Sequence, residues 1–248
     1  MVEPAHDQAL GLRRLFEQRG PAMFSIVGDA GATAVTIDLA AALTRAGRRV
    51  LILDRTCGEA ASGLGLKARY ELAHVLRGEK ALQDVVQRGV DGVSVLPAAR
   101  ALAAIDQGDD AAMRALSTLL LATRDRFDVC LVNGLAPRAA DGDAAAREVL
   151  LVTAPTRVSV TDAYARIKAL APQRTRFRLR VIVNRARNEA CAMSIYASLA
   201  ETARRFLAAQ LDYCAYLPPA DAAPSRGQAF ARLAQSLAAE TASSLAIA

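Results

Sequence analysis

Six short apolar runs constrain this chain most: MFSIV (23–27), RVLILD (49–54), GVSVLP (92–97), FDVCLV (127–132), EVLLVT (148–153) and LRVIVN (179–184). Each is apolar at successive positions rather than alternate ones, so both faces must be covered. That is the pattern of strands inside a mostly parallel sheet. LDYCAYLP (211–218) reads as a further strand. Stretches with helical spacing lie between the runs, at Thr33–Ala46, Asp110–Arg126, Val158–Ala171 and Asn188–Gln210. The alternation predicts a doubly wound α/β fold with its ligands at the carboxyl ends of the strands, where Gly28, Asp54, Asn133 and Asn184 stand. A length of 248 residues suits one such domain and its core. The expected division is a short amphipathic helix over 1–20, ending at RGP, a core over 21–224, and a second helical tail over 225–248.

The net charge of +6 and pI near 9.5 raise the question of a nucleic-acid or anionic-membrane partner. The cations are mostly arginine and scattered, with lysine only at 67, 80 and 168, so they form no stripe. The arginines of QRTRFRLR (173–180) read as a solvated segment entering a strand, and no nucleic acid is expected. Cys57, Cys130, Cys191 and Cys214 stand singly. Cys130 and Cys214 sit in apolar runs, which favours buried thiols over metal ligands or disulfides. His6 and His74 have no partner pattern, and no metal site is expected. The opening MVEPAHDQAL has no apolar signal core, and no run reaches the roughly 18 apolar residues of a membrane span. A cytoplasmic protein is expected, with attachment to a membrane surface left open.

The stretch FSIVGDAGATAVTIDLAAAL (24–43) has the outline of a phosphate-binding loop: an apolar strand, a glycine turn, then a helix. Such a loop needs backbone N–H groups around the phosphates, a lysine on their β/γ oxygens, and a hydroxyl for Mg²⁺. Gly28, Gly31 and Thr33 keep the turn and the hydroxyl, but Ala32 stands in the lysine position. No lysine occurs before Lys67, and the spacing is about two residues shorter than GxxxxGK[ST]. After the second run, Asp54 is followed by Thr56 where a second carboxylate could orient an attacking water. The fourth run ends on Asn133, an amide in place of an Mg²⁺-linked carboxylate. Charges missing at three places argue against hydrolysis, and ATP, ADP or Mg²⁺ would bind here only weakly.

The chain resembles the MinD/ParA class of deviant P-loop ATPases, and within it the flagellar FlhG (FleN) branch that sets flagellar number and placement. The likeness runs from about Ala22 to Pro218. LGLKARYELAHVLRGEKALQDVV (64–86), GVSVLPAA (92–99), SVTDAYARIKAL (159–170) and LDYCAYLP carry it. The resemblance implies the P-loop NTPase fold and a site at Gly28, Gly31, Thr33, Asp54 and, on the adenine side, Asn184. Ala32, Thr56 and Asn133 depart from the family pattern. The departures put the ATP-driven dimer cycle in question and leave self-association open.

DQALGLR (7–13) resembles the DQAxxLR motif at the N-terminus of many FlhG proteins. By that resemblance the helix docks on FlhF, a signal-recognition-type GTPase, and stimulates it, with Gln8 acting in trans on the GTPase site. Asp7 would cap the helix, and Ala9, Leu12 and Phe16, with Arg13 beside them, would make the contact face. In the tail, Phe230, Leu233 and Leu237 would either pack on the core, the reading favoured by an otherwise alanine face, or meet a membrane weakly. The resemblance also implies recruitment to the cell pole or inner membrane surface, and flagellar switch (C-ring) proteins as further partners. Three functions compete: a nucleotide-independent activator of the flagellar GTPase, a working ATPase rescued by an arginine such as Arg55, and an antiactivator of a flagellar transcription regulator.

Overall fold

The computed structural model describes residues 21–29, 31–89, 91–135, 148–173 and 178–246. The expected runs all form strands: β1 (Ala22–Gly28), β2 (Val50–Asp54), β4 (Ser94–Pro97), β5 (Val129–Asn133), β6 (Glu148–Thr153), β7 (Arg178–Asn184) and β8 (Leu211–Leu217). A two-residue strand, β3 (Gln87–Arg88), was not expected; it pairs antiparallel with β4 at the sheet edge. The eight strands lie in the order β3-β4-β2-β5-β1-β6-β7-β8, and every pairing except β3–β4 is parallel. This is the doubly wound architecture the periodicity predicts, and it agrees with the P-loop NTPase fold that the resemblance implies. The chain leaves β1 toward β2 on one side and later fills the other side with β6 to β8. The carboxyl end of β1 therefore lies at the switch point, where open α/β sheets bind ligands.

Alternate residues of each strand feed opposite cores. On one face, Phe24, Ile26, Val50, Ile52, Leu131, Leu150 and Ile182 pack under α1 (Ala32–Arg45) and α9 (Ala223–Ala246). On the other, Val149, Leu151, Val181 and Val183 pack under α7 (Arg157–Leu170) and α8 (Glu189–Leu207). Beside them Leu51, Leu53, Leu96, Cys130 and Val132 pack under α5 (Ala99–Asp106) and α6 (Asp110–Ala122). The connection from β2 to β3 adds three short helices, α2 (Glu59–Gly63), α3 (Leu72–Leu76) and α4 (Leu82–Val85). His74, read from sequence as incidental, has a local role: its Nδ1 lies 3.2 Å from the Glu71 backbone nitrogen at the start of α3, and its ring meets Tyr70 edge-on.

The tail is part of this core. Phe230, Leu233 and Leu237 are 3%, 3% and 0% exposed in the cluster that contains α1. The helix is anchored by charge as well. Arg180 is only 6% exposed on β7 and is paired with Glu240 at 2.6 Å and Glu148 at 3.5 Å. Arg178 pairs with Asp212. Arg180 of QRTRFRLR is thus a buried, ion-paired strand residue, whereas Arg178 is ion-paired but exposed to solvent, as expected from the sequence; residues 174–177 lie outside the described set. Cys130 is fully buried, which pushes its thiol up to about 12, and burial likewise raises Cys214, beside Arg180, to about 11. No helix among the described residues is long and apolar enough to cross a membrane.

Candidate functional site

A cavity of about 880 Å³ opens at the carboxyl ends of β1, β2 and β5. Its floor is the turn from β1 into α1. Gly28 has φ +152°, and a Cβ there would stand 2.2 Å from the Val152 carbonyl oxygen on β6, so only glycine fits. Gly31 takes the left-handed conformation (φ +78°) at the N-cap of α1, and no side chain caps that helix. The amides of Ala32 and Thr33 thus begin a helix facing the cavity, which keeps the geometric half of an anion site.

The chemical half is different. Asp54 is fully buried, and its carboxylate accepts four hydrogen bonds. Thr56 N (3.1 Å), Thr56 Oγ1 (2.6 Å) and Asn133 Nδ2 (3.1 Å) donate to Oδ1, and Ala60 N (3.1 Å) donates to Oδ2. The same Asn133 Nδ2 lies 3.3 Å from Thr33 Oγ1 and 3.4 Å from Thr56 Oγ1. Its Oδ1 faces the Thr36 hydroxyl at 3.3 Å. The carboxylate fixes which end of the amide points inward, because the NH₂ group is the donor. One amide nitrogen therefore sits among three oxygens contributed by α1, β2 and the turn after β2.

Mg²⁺ takes oxygen ligands at about 2.0–2.1 Å in octahedral array. Here the oxygens that would face the ion receive N–H groups instead, and the Thr33 hydroxyl donates to Glu59 Oε2 at 2.9 Å. The donor set does not fit Mg²⁺. The charge around it is mixed, with Arg185 Nη2 3.5 Å from where a Cβ on Gly31 would stand. Asp29 and Glu59 both line the cavity, adding two carboxylates on the loop side. The cavity's arginines already have partners. Arg55, partly buried so that its guanidinium is held below its usual range, donates to the Leu135 carbonyl at 2.8 Å and pairs with Asp106. Arg166 pairs with Asp162 one helical turn away. Among the described residues, no three His, Cys, Asp or Glu side chains group as metal ligands.

Asn184, at the end of β7, is 1% exposed and approaches the loop from the side. A Cβ on Gly31 would lie 3.6 Å from its Nδ2. Its Oδ1 accepts from Arg185 N at 3.1 Å and from Arg226 Nη1 at 3.0 Å. Arg226 also bonds the Pro218 carbonyl and Asp38 and lies 5.0 Å over the Phe230 ring, so the first turn of α9 joins the tail to the site.

The structure therefore brings Gly28, Gly31, Ala32, Thr33, Thr56 and Asn133 into one cavity, with Asp54 buried beneath it and Asn184 beside the loop. Asp7, Gln8, Ala9, Leu12, Arg13 and Phe16 lie outside the described residues. Sequence reasoning missed Asp29, Glu59, Ser159 and Arg226. The first sits inside the glycine turn, where a carboxylate in a phosphate loop was itself a signal. Glu59 and Arg226 reach the site from other elements and carry no local pattern, while Ser159, the first residue of SVTDAYARIKAL, reaches the loop by a 2.9 Å bond to Asp29 Oδ1.

No family model matches the chain. It is 34% identical over 196 residues to the antiactivator FleN of Pseudomonas aeruginosa, a match covering 77% of this chain and 70% of that one. Over 72 residues, 29% of this chain and 28% of the relative, it is 46% identical to the chromosome-partitioning ATPase Soj of Thermus thermophilus. Among solved structures, the MinD cell division protein of Aquifex aeolicus superposes with a TM-score of 0.62 at 19% identity, over 88% of this chain and 97% of that one, a likeness of fold.

Proposed function

The chain belongs to the FleN (FlhG) family of the MinD/ParA class, and from that premise we propose that it is a flagellar regulator whose ATPase centre has become structural. The observation that carries this reading is the position of Asn133 Nδ2, 3.1–3.4 Å from Asp54 Oδ1, Thr33 Oγ1 and Thr56 Oγ1. An amide there ties α1, β2 and β5 together without a cation. The amide itself supplies no charge to stabilise a transferring phosphoryl group, and Ala32 supplies none from the loop; the cation nearest the loop is Arg185, whose Nη2 lies 3.5 Å from where a Cβ on Gly31 would stand. One preorganised electrostatic donor is worth about 3–4 kcal/mol in a transition state, so two lost charges remove most of the catalysis such a site gives.

The regulator then acts through protein contact. Residues 1–20, with every position of the DQAxxLR-like motif filled, would dock on an FlhF-type GTPase through Ala9, Leu12 and Phe16 and present Gln8 to its site. The protein works in the cytoplasm, drawn to the pole or inner membrane by its partner. A second reading, binding to a flagellar transcription regulator, is favoured by the antiactivator named in the match to FleN. Purified protein tests both. Stimulation of the GTPase that needs residues 1–20 and no ATP supports the first reading. Retention of the transcription regulator after deletion of residues 1–20, without GTPase stimulation by the intact chain, replaces it with the second.

A further inference from the structure

We propose that Asp29 is a built-in anion that fastens the loop to the first turn of α7, so that loop and helix are held together with no ligand in the cavity. The proposal rests on the reading of the site as a structural relic and adds how its conformation is fixed. Ser159 lies on the first turn of α7 and is 3% exposed. Its hydroxyl lies 2.9 Å from Asp29 Oδ1, 2.8 Å from the Ala154 nitrogen and 3.2 Å from Thr153 Oγ1.

A serine hydroxyl has one proton and two acceptor sites. Asp29 is a pure acceptor, so the Ser159 proton goes to it. Ala154 N–H and the Thr153 hydroxyl then donate to the two lone pairs, and the hydroxyl is saturated. The Asp29 charge also lies at the N-terminal end of a 14-residue helix, where an anion is favoured.

The remainder of the loop leaves little slack. Gly28 is wedged against Val152, and the Asp29 carbonyl accepts from Gly31 N at 2.6 Å, closing a tight turn. A polyphosphate would have to open this turn and face the Asp29 charge. The neighbouring Val158 is 75% exposed on the anchored turn, so a partner reading that turn meets one arrangement whatever the ATP concentration.

Hydrogen–deuterium exchange on the full-length protein tests this, with and without Mg·ATP, for wild type, Asp29→Ala and Ser159→Ala. In wild type the peptide over 154–163 should exchange equally with and without Mg·ATP. In Asp29→Ala it should exchange at least tenfold faster while β5 stays protected. Equal exchange of that peptide in Asp29→Ala and wild type overturns the fastening alone. A gain of protection in wild type on adding Mg·ATP overturns the structural-relic reading and the proposal with it. Should Asp29→Ala lose β5 protection, Ser159→Ala decides: faster exchange over 28–33 with β5 intact supports the fastening, and unchanged exchange overturns it.

Discussion

Replacing Asn133 by aspartate reverses the polarity of one atom at the centre of the site. In place of an N–H donating to Asp54 Oδ1 at 3.1 Å, a second carboxylate oxygen would face it. The lost bond, donated to an ionised acceptor, is worth about 1.5–3 kcal/mol. Two charges at that distance repel by about 5 kcal/mol at an effective dielectric of 20. Protonation caps the total. Neutralising a carboxyl whose ordinary pKa is near 4 costs about 4 kcal/mol at pH 7, and about 1.4 less for each unit the pH falls. Asn133→Asp should therefore lower unfolding free energy by about 3–4 kcal/mol at pH 7 and by clearly less at pH 5. Millimolar Mg²⁺, a better neighbour for two carboxylates than for one carboxylate and an amide, should recover part of the loss. Urea unfolding at the two pH values, with and without Mg²⁺, measures all of this. A variant within 0.5 kcal/mol of wild type at pH 7, with no pH dependence, would refute the assignment of Asn133 as the donor that holds Asp54.

Further outcomes follow from other parts of the molecule. Phe230→Ala, at a site 3% exposed under α1, should destabilise the whole domain by about 3–5 kcal/mol in a single unfolding transition, because α9 shares the main core. Glu148 is held above its usual 4.5 by burial, against the pull of Arg180 and Arg178, so the native state holds its proton to higher pH than the unfolded chain does. Its contribution to stability then falls as pH rises from about 4.5 through the raised value. Unfolding midpoints of wild type relative to Glu148→Gln should decline over that window and level off above it. In the segment outside the described residues, Gln8→Ala should abolish GTPase stimulation and spare docking, whereas Leu12→Asp should remove docking by placing a charge in an apolar contact. Equal stimulation with and without Gln8 would rule out its role in trans.

The interior strands were legible because each is buried on both faces, which leaves an unbroken apolar run such as VLILD or EVLLVT, whereas the edge strand β8 is half-buried along most of its length. β3, only two residues long, and α2 to α4, of four or five, are too short to show a period. Ala32 and Asn133 could be flagged from the sequence, since a motif specifies what is missing at a given spacing. What replaced the missing charges could not. The Asp29–Ser159 bond spans 130 positions and Arg226–Asn184 spans 42, and each depends on the sheet order rather than on neighbours in the chain. Glu240 shows the same limit: its partner Arg180 lies 60 positions away on β7, and nothing in the local sequence pairs the two.

The most direct test of the account is Mg·ATP binding and turnover by the purified full-length protein, measured beside an intact MinD-type ATPase. With Ala32 in place of lysine, Asn133 in place of a metal ligand and the Asp29 carboxylate in the loop, binding should be weaker than about 1 mM, less than about 4 kcal/mol of affinity, with hydrolysis at background. Micromolar binding with turnover matching the intact enzyme would contradict it.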